Sequence, residues 1–183
     1  MRTTWKLSLA LTLAMSTALT ARADDRDPAN YVGTKTCGIC HKQEASGNQY
    51  GIWQNGPHAK AFDVLGTPAA KTMGAKFGVA DPQTSGKCLK CHSTAYNFTE
   101  TIATDRIKPE DAIGCESCHG PGKKYLAKTT MQDRTKAVAA GLVYPADQSC
   151  QLCHNDQSPT WTGSFDKDAM VKKIAHPDPK VQH

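Results

Sequence analysis

The sequence is short of the side chains that build an ordinary protein interior. Apolar residues make up 39% of its 183 positions and aromatics only 7%, so a core packed from side chains alone would be thin for one domain of this size. No run shows the sustained alternation of a half-buried strand, which argues against a sheet protein. Beyond Leu19 no apolar stretch approaches the roughly 20 residues that cross a bilayer, which excludes a later membrane span. Charge of one sign is scarce too: 22 basic residues against 17 acidic ones give +5. No basic patch is interleaved with aromatics, so nucleic-acid binding has no support. Finally, no cysteine stands outside one repeated pattern.

The first residues follow a logic of their own. Arg2 and Lys6 form a short basic region, an apolar run from Leu7 to Leu19 follows, and Ala21-Arg22-Ala23 supplies the small residues that a signal peptidase needs. This predicts a signal peptide over residues 1–23, a folded domain over 24–183, and a periplasmic or otherwise exported bacterial protein. Removing the leader takes three basic residues with it and leaves 19 basic against 17 acidic, a balance of +2.

What is present in quantity is one motif. All 8 cysteines fall into four copies of Cys-x-x-Cys-His: Cys37-Gly-Ile-Cys40-His41, Cys88-Leu-Lys-Cys91-His92, Cys115-Glu-Ser-Cys118-His119 and Cys150-Gln-Leu-Cys153-His154. The pattern is the attachment site of a c-type haem. The two thiols add to the porphyrin's vinyl groups, and the adjacent histidine reaches the iron from the proximal side. A disulfide framework gives no reason to place histidine after every second cysteine. Zinc makes no such demand in all four copies, and a thioredoxin-like pair needs one motif, not four. The reading is four covalently attached haem c groups with His41, His92, His119 and His154 as proximal ligands. Their porphyrins supply the missing apolar core.

Residues 24–183 leave 40 per haem, too few to give each cofactor its own shell. The motifs are 51, 27 and 35 residues apart, which argues against a tandem repeat. The expected fold is mainly α with much irregular chain, a single multihaem domain wrapped around four stacked haems. One helix is expected to start at Pro57, with His58, Phe62 and Leu65 on one face. Gly120-Pro121-Gly122 should end the helix of the third motif. A last helix is expected from about Asp166 to Ala175, closed by His176-Pro177.

Four irons then compete for three remaining histidines: His58, His176 and the terminal His183. A second histidine fills the sixth position of a haem, whereas a haem without one keeps an open face that binds small molecules. His58, at the start of a short apolar-faced helix, is read as an axial ligand, and His176 as another. At least one iron lacks a histidine from its own chain. Met73, Met131 and Met170 are alternative ligands, and packing residues otherwise.

These motifs resemble the cytochrome c-554 family of tetrahaem electron carriers. The resemblance rests on Lys35-Thr-Cys-Gly-Ile-Cys-His41, on Trp53 followed by Pro57-His-Ala-Lys-Ala61, and on Gly114-Cys-Glu-Ser-Cys-His-Gly-Pro-Gly122. The fourth motif and Phe165–Ile174 add to it, from about Tyr31 to His176 in all. It implies a periplasmic, mainly helical carrier with haems in close pairs. It further implies that His58 and His176 are distal ligands of the later haems, and that the iron on His92 is five-coordinate. The family places a histidine shortly after the third motif's Gly-Pro-Gly to complete the first haem. Here Lys123–Met131 contains none, which leaves the iron on His41 with Met131, His183, water or nothing.

The leading functional expectation is electron transfer between redox protein partners, other cytochromes or an oxidoreductase, with no acid/base constellation and no catalytic residue. Two other readings stay open: a nitric oxide-type reductase at an open iron on His92 or His41, and an oligomer or filament in which a neighbouring chain completes the deficient haem. Four haems also bring up to eight propionate charges, turning +2 into about −6.

Overall fold

The computed structural model describes residues 27–96, 100–145 and 147–179. The expected leader, residues 1–23, and His183 lie outside them. The described chain consists of short helices and irregular connections, with one isolated bridge between Tyr96 and Thr101. This is the mainly α, loop-rich architecture that the sequence implies. No helix among the described residues is long and apolar enough to cross a membrane.

Among the described residues ten α-helices follow in order: α1 Thr34–His41, α2 Gln49–Asn55, α3 Ala61–Val64, α4 Pro68–Lys76, α5 Gly86–His92, α6 Cys115–His119, α7 Lys128–Met131, α8 Arg134–Ala139, α9 Asp147–Gln151 and α10 Lys167–Val171. Most span one or two turns, below the length at which a helix is stable by itself, so caps and tertiary contacts decide where each begins and ends. Thr67 caps α4 by accepting from Ala70 N, and Pro68 follows in the first turn. Asp133 and Asp166 cap α8 and α10 in the same way. Gly120, at φ +76°, stops α6 in a conformation that disfavours a side chain. Tyr125 secures that end by donating its hydroxyl to the carbonyls of His119 and Gly120.

Two helix expectations change in detail. The segment after Pro57 begins as a 3-10 turn over His58–Lys60 and becomes α-helical only at Ala61. Leu65 is buried as expected, whereas His58 and Phe62 are half-buried. The last helix stops at Val171 and not at Ala175. Its final residues tighten into turns, with Ile174 N and Ala175 N both returning to Val171 O. Met170 faces outward at 38% exposure, so the four-residue spacing with Ile174 does not mark a packed face.

Helix α1 packs on α2 and α6, α3 packs on α5 and on the Pro109–Asp111 turn, and α7 packs on α8. The strip Ala112–Gly114 joins these pieces. Trp53 donates its indole N–H to Ile113 O, and Ile113 N donates to His58 O. Gly114 N donates to the Thr94 hydroxyl, which in turn pairs with Ser117. The protein interior is as thin as the composition demands. The buried apolar residues form one small contiguous cluster of Tyr31, Ile102 and Ile107, with the others scattered.

Candidate functional site

In a helix, residues three and four apart share a face. A Cys-x-x-Cys-His segment wound helically therefore presents two thiols side by side and a histidine one turn beyond the first. Helices α1, α5 and α6 each end on the histidine of their motif. The fourth motif differs slightly. Cys150 lies in α9, while Cys153 and His154 follow in a turn whose amides return to Cys150 O. All eight cysteines are unbridged thiols, the form that thioether attachment requires.

The sulfurs of the four motifs lie near enough to affect one another. Cys37 neighbours Cys115, an interaction that raises the Cys37 thiol and lowers that of Cys115. Cys91 and Cys153 make the same kind of pair, with Cys91 the lowered partner. Cys118 is pushed up to about 11, mainly by burial and then by the neighbouring charge of Cys150.

The motif histidines are oriented by their outer nitrogens. His92 Nδ1 lies 2.6 Å from Ala61 O, His119 Nδ1 2.8 Å from Val143 O, and His41 Nδ1 3.2 Å from Gln49 Oε1. Carbonyl oxygens only accept, so each Nδ1 carries the proton and each Nε2 keeps its lone pair. The Gln49 amide has a defined orientation because its Nε2 donates to Pro177 O and Ser46 O. A histidine held in this tautomer by an outer hydrogen bond is the usual arrangement of a metal ligand.

Two further histidines face motif histidines across a gap. The rings of His58 and His154 have centroids 6.2 Å apart, and those of His119 and His176 are 5.9 Å apart. With metal–imidazole bonds of about 2.0–2.1 Å, two rings ligating one metal from opposite sides would have centroids roughly 6 Å apart. Burial, and then the nearby His154, hold His58 below its ordinary pKa. His119 is also lowered by burial, partly offset by its bond to Val143. Both shifts favour the neutral imidazole that a metal needs. His154 and His176 are exposed on the polypeptide. Paired reduced thiols, fixed tautomers and histidine pairs at this spacing all fit c-type haem.

Met131 sits half-buried in α7 and belongs to neither histidine pair. Two side chains that the sequence did not single out take part in the arrangement. One is Gln49. The other is Glu116, inside the third motif, which is only 3% exposed and accepts from Val32 N, Gly33 N and Gly122 N. Its place between the two cysteines of a repeated motif was the available signal, since a carboxylate there must either face solvent or find donors.

Fold and site together define a multihaem c-type cytochrome. The profile described as "Cytochrome c554 and c-prime" matches residues 36–120, which hold the first three motifs. Cytochrome c-554 of Nitrosomonas europaea is 29% identical over 155 residues, 74% of this chain. The alignment covers 63% of that relative, so the chain spans less than two thirds of its length. The solved structure of the reduced state of cytochrome c554 from the same organism superposes with a TM-score of 0.58 at 27% identity, covering 80% of this chain and 84% of that one. The chain resembles the cytochrome c-554 family, and its cofactors are covalently attached c-type haems.

Proposed function

We propose that this chain is an exported electron-transfer protein, made with a leader over residues 1–23, whose domain over residues 24–183 passes electrons between redox partners through four closely packed haems. The observation that carries this is that the sulfurs of all four motifs neighbour one another. Cys91 meets Cys153, Cys118 lies beside Cys150, and Cys115 meets Cys37. Attachment sites so near one another would set the haems in a row in the order second, fourth, third, first motif. Cofactors so arranged would conduct electrons through the protein.

In this reading Cys37, Cys40, Cys88, Cys91, Cys115, Cys118, Cys150 and Cys153 hold the haems, with His41, His92, His119 and His154 as proximal ligands. His58 completes the iron on His154, and His176 completes the iron on His119. Low-spin iron with two histidines changes oxidation state with little rearrangement. The test is rapid mixing of the reduced holoprotein with an oxidised multihaem cytochrome or oxidoreductase. All four haems should reoxidise in sequence, and failure to exchange electrons with any such partner at useful rates would sink the proposal.

The same count favours one subsidiary reading. Once His58 and His176 are assigned, the described residues hold no further histidine for the irons on His41 and His92. An open face there binds a small ligand such as nitric oxide, and anaerobic incubation of the reduced protein with nitric oxide tests for turnover.

A further inference from the structure

We propose that Gln49 is a positioning residue that couples the His41 imidazole to the segment carrying His176, so that one amide governs the surroundings of two irons. The inference rests on the assignment of His41, His119 and His176 as iron ligands. It goes beyond that assignment in linking the first haem to the third through a side chain that touches neither metal.

Gln49 is the first residue of α2, next to the loop that follows the first motif. Its Oε1 accepts from His41 Nδ1 at 3.2 Å, and its Nε2 donates to Pro177 O at 2.9 Å across 128 residues of sequence. Pro177 directly follows His176, whose ring faces His119 at 5.9 Å. The loop is shaped to receive this tail. Gly47 has φ +94°, and a Cβ there would lie 2.7 Å from Pro177 O and 3.2 Å from Pro179 Cδ. His176 itself is exposed and lies beyond the last helical turns. Its place against His119 therefore depends on how the tail is moored.

The two ends of the amide act differently. The acceptor on a ligand histidine's outer N–H sets how strongly its other nitrogen donates to iron. A stronger acceptor stabilises the ferric state and lowers the potential, and a missing one raises it. The donor end holds the tail, so losing it frees His176 to leave the third haem.

The experiment compares the wild-type holoprotein with Gln49→Leu, Gln49→Glu and His176→Ala, by redox titration and by the low-temperature electron paramagnetic resonance of ferric haem. Gln49→Leu removes both bonds, so one midpoint should rise and a high-spin signal matching that of His176→Ala should appear. Gln49→Glu gives His41 a stronger acceptor but cannot donate to Pro177 O. The same midpoint should then fall while the same high-spin signal appears. General loosening of the fold does not produce opposite shifts in potential with a common change of spin. The coupling is overturned if the two variants move the midpoint in one direction or not at all, or if neither raises the high-spin signal while His176→Ala does. If His176→Ala leaves the spectrum of the wild type unchanged, the assignment of His176 falls and the inference with it.

Discussion

The imidazoles of His58 and His154 stand 6.2 Å apart, centroid to centroid, tilted by 54°. One opens the His58–Lys60 turn and the other lies just past α9. A single iron between them would be ligated from both sides. Replacing His58 with alanine should convert one haem from low-spin to high-spin in the ferric resonance spectrum, leaving the attached haem count unchanged. Replacing it with methionine should keep that haem low-spin and raise its potential, because a thioether favours ferrous iron. An unchanged spectrum in His58→Ala would remove His58 from the ligand set.

Glu116 should be the least replaceable carboxylate of the domain. It accepts at 2.9, 2.8 and 2.7 Å from Val32, Gly33 and Gly122, while Val32 is itself buried. Bonds to a charged group contribute about 1.5–3 kcal/mol each, and alanine would strand the donors. Glu116→Ala should therefore cost about 3 kcal/mol or more. Chemical denaturation of the holoprotein measures it, and a loss below about 1 kcal/mol would show that water replaces the carboxylate.

Trp53 offers a milder test. Its indole N–H donates to Ile113 O at 2.8 Å, and Ile113 N donates to His58 O at 3.3 Å. Trp53→Phe should destabilise the protein by about 1 kcal/mol for the lost hydrogen bond. The urea midpoint should fall with no change in slope, and the His154 haem should remain low-spin.

Without its cofactors the polypeptide should lose tertiary order. Twelve buried apolar residues are found among those described, three of them alanine, too few to offset the conformational entropy of such a chain. Replacing both cysteines of the third motif by alanine should yield protein with reduced near-ultraviolet circular dichroism and a broadened thermal transition. A sharp, native-like transition would mean that side chains alone suffice.

Much of this was legible in the sequence, because attachment motifs are local. Five residues in a row announce a haem, and Gly120 announces the end of α6. The helix after Pro57 was visible as a start, but its 3-10 opening was not, since both helix types share the same proline signal. The histidine pairs could not be derived from spacing. His58 meets His154, and His119 meets His176, through tertiary packing that no periodicity encodes. Glutamines and glutamates with structural duties are equally silent, because Gln49 and Glu116 earn their roles from backbone groups far away in the chain.

The use of all eight cysteines, none of them in a disulfide, bears on how long such a molecule keeps its cofactors. Each of those sulfurs ends as a thioether, so a porphyrin is bonded to the chain and not merely enclosed by it. Attachment is thus one-way: even unfolding releases no haem, and the redox centres last as long as the chain.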